Sequence, residues 1–147
     1  MKISAKGRYA LATLIYLAGK EQGFTTAVEV SEKLGISKLY LEQVFAILKK
    51  SGFVSSVKGS AGGYQMLGEP ADICALDVLR ATELTLFEQA EAALPEETSH
   101  INRALAAHLW KPLDKSVEEA LGAVTLRELV RSAYQEFYAD GADMFYI

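Results

Sequence analysis

Apolar residues recur at helical spacing through most of the chain, and glycines, prolines and capping residues punctuate them. Ser4 opens a first segment running to about Lys20, with Leu11, Leu14, Ile15 and Ala18 as its apolar stripe. Thr26-Ala-Val-Glu29 has the form of a capping box, in which a threonine and a glutamate satisfy each other's orphan amides. The helix it opens places Ala27, Val30, Ser31 and Leu34 on one face and stops at Gly35. Ser37 caps a third helix with Leu41, Val44, Phe45 and Leu48 turned inward, ended by Ser51-Gly52. The period then changes. Phe53–Val57 reads as a strand, Lys58 to Gly63 as a turn, and Tyr64–Leu67 as a return strand.

Beyond Pro70 the pattern is helical again. Ala75–Thr82 is a short helix, and residues 88–99 are acidic, broken by Pro95, and read as a loop or frayed helix end. From His100 to about Leu121, Ile101, Leu105, Leu109, Leu113, Val117 and Leu121 recur every fourth residue. Pro112 lies inside that run, where a missing N–H and a clash with the preceding turn predict a kink or a restart. A second capping box, Thr125-Leu-Arg-Glu128, opens a last helix to about Tyr138, followed by the tail ADGADMFYI.

Helix, glycine turn, helix and two-stranded hairpin, in that order, predict a mainly α protein built on a winged helix-turn-helix. Residues 1–70 would form that module. Residues 71–147 would form a second region, with a long helix at about 100–121 and a terminal helix at about 126–138. On the third helix the buried stripe leaves Leu39, Glu42, Gln43, Ala46 and Lys50 facing outward, with Lys38, Tyr40 and Lys49 on the borders. Gln43 suits adenine and Glu42 the cytosine amino group, and Ser37, Lys38 and Tyr40 stand at the helix start, which enters the major groove in this motif. Lys49, Lys50 and Lys58 suit phosphate. The tip Ser60-Ala61-Gly62-Gly63 has almost no side chain, so it can enter a narrow groove or bring amides to phosphate. Tyr64 is expected to pack the wing onto the core.

Charge sharpens this reading. The 147-residue chain carries a net −4, which alone argues against nucleic acid. Residues 1–67, however, hold nine Lys or Arg against four Asp or Glu, a net +5, and the remainder holds six against fifteen, a net −9. The bland alternative is an unevenly charged, solvated surface. A helix-turn-helix without DNA is a second alternative, and two lysines at a helix end complement its dipole in any protein. No apolar run approaches the roughly 20 residues of a membrane-spanning helix, and the helically spaced amino terminus is unlike a signal peptide, so a cytoplasmic protein fits best. No glycine-rich phosphate loop lies between a strand and a helix, no nucleophile stands in pattern with a base, and no metal-ligand spacing occurs, which argues against an enzyme. Cys74 is the single cysteine. It is either a small core hydrophobe or a thiol made reactive by the start of the helix at Ala75.

MKISAKGRYAL, YLEQVFAILKKSGFVSSVKGSAGGY and VTLRELV resemble the corresponding stretches of the Rrf2 family of bacterial winged-helix regulators, at the start, middle and end of the chain. The resemblance implies a homodimer on a pseudo-palindromic double-stranded DNA operator. The dimer would pair through the long helix, by Ile101, Leu105, Leu109, Leu113, Val117 and Leu121. DNA contacts would come from Ser37, Lys38, Tyr40, Glu42 and Gln43, from Ser60, Ala61 and Gly62 on the wing, and from Lys2, Ser4, Lys6 and Arg8 as a phosphate clamp. Iron–sulfur members hold a cluster with three cysteines, often helped by a histidine. The corresponding loop here has none, and His100 and His108 alone will not hold a cluster, so no cofactor is expected. The resemblance narrows toward the family's cluster-free repressors of cysteine metabolism, which, as here, end in Met-Phe-Tyr-Ile. These work with a cysteine synthase. A tail ending in Tyr146-Ile147 can enter a pocket that offers amides to its carboxylate and an apolar wall to its side chain, or it can pack on the dimer core.

Overall fold

The computed structural model describes residues 2–20, 23–86 and 93–139. Seven α-helices and one two-stranded sheet make up its regular structure among these residues, with short 3-10 turns at Pro70–Asp72 and Glu96–Thr98 and a π turn at Ala106–Trp110. Helix α1 (Ala5–Ala18) is capped by Ser4, whose Oγ accepts from the Gly7 amide. Its buried face is Gly7, Ala10, Thr13, Leu14 and Leu17, with Leu11, Ile15 and Ala18 only half-buried. The expected stripe is therefore rotated. Helix α4 (Ala75–Thr82) lies against α1 at Gly7, and helix α7 (Leu126–Ala139) lies on the side that carries Leu11, Ala12 and Ile15.

Helix α2 (Ala27–Leu34) is capped by Thr26, whose Oγ1 accepts from the Glu29 amide at 3.1 Å. Only half of the expected box forms. The Glu29 carboxylate turns instead to α1, accepting from the Tyr16 hydroxyl at 2.7 Å and meeting Lys20 Nζ at 2.8 Å. Gly35 ends α2 in the left-handed conformation, φ 65°, which costs a glycine nothing. The Ser31 hydroxyl closes the turn by donating to the Ile36 carbonyl. Helix α3 (Lys38–Lys50) then buries Leu41, Val44, Phe45 and Leu48.

Strand β1 (Val54–Val57) pairs antiparallel with β2 (Gly63–Met66), from Val54 opposite Met66 to Val57 opposite Gly63. The sheet gains one further rung, with Thr25 and Tyr64 exchanging backbone hydrogen bonds of 2.8 and 2.7 Å. Glycine is required at this rung, because a Cβ at Gly63 would stand 2.5 Å from the Thr25 carbonyl oxygen. The Tyr64 ring lies flat on Phe45, with centroids 3.7 Å apart, so the tyrosine does fasten the wing to the core.

The second region shares the core of the first. Val78 of α4 and Leu126 of α7 are fully buried in the same cluster as Leu14, Leu41 and Phe45. Cys74, half-buried, caps α4 beside a β-bridge to Thr125. At Thr125 the capping box forms completely, with bonds of 3.0 and 3.2 Å between Thr125 and Glu128.

Helices α5 (Ser99–Leu105) and α6 (Lys111–Gly122) run on through the π turn without a restart. The Lys111 amide donates to the Ala106 carbonyl, five residues back, and this widened turn admits Pro112 one residue later. The kink or restart expected at the proline is replaced by a local change of helical pitch.

The Glu29 node ties α2 to α1. Lys20 first, and then the Tyr16 hydroxyl, holds the Glu29 carboxyl below the usual carboxylate range, while burial and then Glu29 raise Tyr16. A lowered folded-state pKa adds stability that is complete above the ordinary carboxylate value and is lost as the pH falls through the lowered one. The side chains of Lys20 and Glu29 are 40% and 37% exposed, so screening keeps the effect small. Urea unfolding at neutral pH should find Glu29→Gln less stable than the parent by a few tenths to about 1 kcal/mol. The gap should close below about pH 4; a gap that persists in acid would show that the charge is not its source.

Candidate nucleic-acid interface

Burying one side of α3 dictates what the other side presents. Lys38, Leu39, Glu42, Gln43, Ala46, Lys49 and Lys50 are all exposed, Leu39 by 72%. Glu42 and Gln43 stand in the second turn of α3 and are exposed to solvent. Ser37 is exposed at the start of α3, its Oγ accepting from the Tyr40 amide at 3.2 Å. Tyr40 is less available than expected. It is half-buried, packs on the core and meets Tyr9 edge-on at 5.5 Å, so it props the start of α3 against α1.

Lys49 and Lys50 occupy the last turn of α3, where they complement its dipole and remain in solvent. Lys58, Ser60 and Ala61 are exposed on the wing tip, but Gly62 is not. Its amide donates to the Gly59 carbonyl at 3.1 Å, and a Cβ there would collide with the Val57 carbonyl oxygen. Gly62 therefore shapes the tip from beneath, and the surface offered to a groove ends at Ala61.

At the amino terminus Lys2, Lys6 and Arg8 are exposed. Ser4, expected among the clamp residues, is committed elsewhere: its amide donates to Glu83 Oε1 at 2.9 Å and its hydroxyl to the same oxygen at 2.5 Å. Sequence reading missed Glu83, Tyr9 and Thr25. Each acts through a partner distant in the chain, and only Thr25, β-branched and next to Phe24, carried a local hint of strand. Tyr146 and Ile147 lie outside the described residues, and so do residues 88–92 of the acidic stretch.

The six expected dimer residues divide. Ile101, Leu105, Leu109 and Leu113 are exposed, as is Trp110, whereas Val117 and Leu121 are half-buried. Leu121 turns toward the body and lines a groove with Ile3, Leu11, Leu79 and Leu129. A four-residue spacing advances about 40° per step around an α-helix, so the row winds off the face on which it began.

The sequence signature of the Rrf2 family, described as an iron-dependent transcriptional regulator, matches residues 3–132. The IscR regulator of Xenorhabdus nematophila is 33% identical over 144 residues, spanning 97% of this chain and 87% of its own length. The structure of CymR, the global cysteine regulator of B. subtilis, superposes with a TM-score of 0.73 at 34% identity, over 90% of this chain and 98% of that one. IscR of T. potens gives 0.68 at 32% identity, over 90% and 88%.

The family description names iron, which iron–sulfur proteins hold through cysteine thiolates. A cluster held by thiolates needs several, and the chain has only Cys74, whose Sγ lies 3.2 Å from Asp77 Oδ2 at the cap of α4. His100 and His108 are exposed on α5 and the π turn. No three of His, Cys, Asp and Glu gather at one point among the described residues. The donor set does not fit a thiolate-held cluster.

If the exposed lysines of α3 and the wing hold phosphate, replacing Lys49, Lys50 and Lys58 by alanine should flatten the salt dependence of DNA affinity. The log–log slope should fall by roughly 0.9 for each phosphate no longer neutralised. Fluorescence anisotropy on a mixed-sequence duplex over a range of potassium chloride reads this directly, and an unchanged slope would remove those lysines from the interface.

Proposed function

The chain belongs to the Rrf2 family of DNA-binding transcriptional regulators, and within that family we propose that it is a cytoplasmic homodimeric repressor of sulfur and cysteine metabolism genes that works without an iron–sulfur cluster. The observation that carries the reading is the two-sided α3, buried through Leu41, Val44, Phe45 and Leu48 and open through Lys38, Glu42 and Gln43, with the wing's Lys58, Ser60 and Ala61 beside it. Similarity to CymR supports the cysteine assignment, as does a donor set too poor for a cluster. Genome-wide mapping of bound DNA tests it. Sites upstream of sulfur-uptake genes support it, and sites upstream of iron–sulfur assembly genes oppose it.

Dimerisation rests on the exposed row of α5 and α6. Leu109 and Leu113 are 47% and 48% exposed in the single chain, an arrangement that favours a covering partner. Two such helices packed antiparallel would bring each recognition helix to one half of a palindromic site. Because the folded monomer does not need these side chains inside, Leu109→Asp with Leu113→Asp should leave the helical circular dichroism intact while sedimentation shifts from dimer to monomer. A variant that remains dimeric would place the interface elsewhere.

A second reading follows from the tail sequence MFYI. An aromatic residue followed by isoleucine suits a pocket that takes a peptide segment, and the proposed partner is a cysteine synthase. Removal of Tyr146 and Ile147 should abolish co-elution with that enzyme and leave the DNA affinity of the free protein unchanged. Retained co-elution would remove the tail from any such contact.

A further inference from the structure

Helix α1 has no acidic residue in its own first turn. Glu83, at the far end of α4, supplies one. Its Oε1 accepts both the Ser4 amide, at 2.9 Å, and the Ser4 hydroxyl, at 2.5 Å, while Ser4 Oγ accepts from the Gly7 amide. Two otherwise orphaned donors at the amino end of α1 are thus satisfied by one carboxylate and the hydroxyl it holds. The carboxylate occupies the space that a side chain at Gly7 would need, because a Cβ there would collide with Glu83 Oε1 and stand 3.0 Å from Leu79 Cδ2. Glu83 is itself fixed, its amide bonded to the Leu79 carbonyl at 2.7 Å and its carbonyl to the Leu86 amide at 3.2 Å. Lys2, Lys6 and Arg8 neighbour Ser4 and Gly7 in the chain and are all exposed, Lys2 and Arg8 beside the groove that Leu121 lines.

We propose that Glu83 is a positioning residue for DNA binding, holding the amino-terminal arm of α1 so that Lys2, Lys6 and Arg8 face the phosphate backbone. This rests on the reading of those three residues as phosphate contacts. It makes a demand that simple electrostatics contradicts. An acid close to the DNA-facing cations weakens attraction to phosphate, so its removal should tighten binding if charge were all that mattered. If it orders the arm, its removal loosens binding, because freed side chains must give up conformational entropy on meeting DNA.

The test is the affinity of the full chain for a mixed-sequence duplex across potassium chloride concentrations, with each variant's folded fraction checked by thermal melting. Replacement of Lys2, Lys6 and Arg8 by alanine is measured first. A slope that falls by roughly 0.9 per phosphate released places the arm on the DNA backbone; an unchanged slope overturns the arm reading and the role of Glu83 with it. Given an arm on phosphate, Glu83→Ala should weaken binding several-fold and lower the slope by roughly 0.9 or more. Glu83→Gln, which keeps an acceptor for Ser4, should restore the parent slope. Gly7→Ala displaces the carboxylate without removing it and should reproduce the alanine result. If Glu83→Ala and Glu83→Gln both bind more tightly than the parent, or keep its slope while the arm variant's slope falls, Glu83 has no positioning role and the arm reading survives. A drop in affinity at unchanged slope, tracking the unfolded fraction, assigns Glu83 to stability alone and overturns the proposal equally.

Discussion

Everything the molecule presents to a groove depends on α3 having one buried side. Leu41, Val44, Phe45 and Leu48 leave it a single orientation, and Phe45 does more than fill space. Its ring, stacked on Tyr64, makes the wing's position a consequence of the helix's position. Such a pair contributes about 0.5–1.5 kcal/mol beyond the area it buries, modest as stability but directional. The Thr25–Tyr64 rung ties the same wing residue to the entrance of α2. Helix-turn-helix and wing, the proposed reading unit, are therefore joined to one another through Tyr64.

The parts of the fold most legible in the sequence are those governed by neighbours a few residues apart. The Ser37 cap, the Gly35 turn, the buried row of α3 and the limits of α4 follow from local geometry and periodicity, which a single chain displays openly. The face of α1 was read only in part because pattern reading weighs large apolar groups, whereas α4 approaches α1 at Gly7. Close helix approach selects small residues, and small residues leave little trace in a hydropathy pattern. Glu29 shows a related limit. The box pattern was present, but a carboxylate offered a lysine and a tyrosine from another helix leaves the backbone amide behind. For the candidate interface, exposure of Lys38, Glu42, Gln43, Lys49, Lys50 and Lys58 was readable from helical phase and turn position. The burial of Gly62 and the commitment of Ser4 were not, since both depend on atoms brought near only by folding.

The α5–α6 helix shows how backbone geometry apportions apolar side chains between a fold and a partner. A repeat of four residues cannot stay on one face of a helix with 3.6 residues per turn. The π turn slows the winding over the residues before Pro112 and so lengthens the exposed part of the row. Past it, Val117 and Leu121 come round toward the body, where α6 packs against α4. One pattern thus serves two surfaces, with an outward portion from Ile101 to Leu113 and an inward portion after it.

Net charge is a poor guide to the partner of such a molecule, for a reason of distance. Attraction between exposed charges in physiological salt fades over about 8 Å. A lysine touching phosphate therefore counts in full, and an acid a helix diameter or two away counts for little. The fifteen acidic residues after position 67 can coexist with DNA binding if they stand on the surfaces turned away from it. Glu118 and Glu119 on α6 illustrate this: they pair with Arg80 and Lys115 on the body and on α6 itself, at 3.5 and 3.9 Å, and not with the cations of the reading unit. Among the described residues, Glu29 and Glu83 both reach α1, and each is engaged there by hydrogen bonds, to Tyr16 and to Ser4. An acid within reach of the proposed DNA-facing half is compatible with that role if it is tied into the fold, because its hydrogen bonds then hold neighbouring groups in place. The sign of the whole chain is silent on this, and the placement of individual carboxylates decides it.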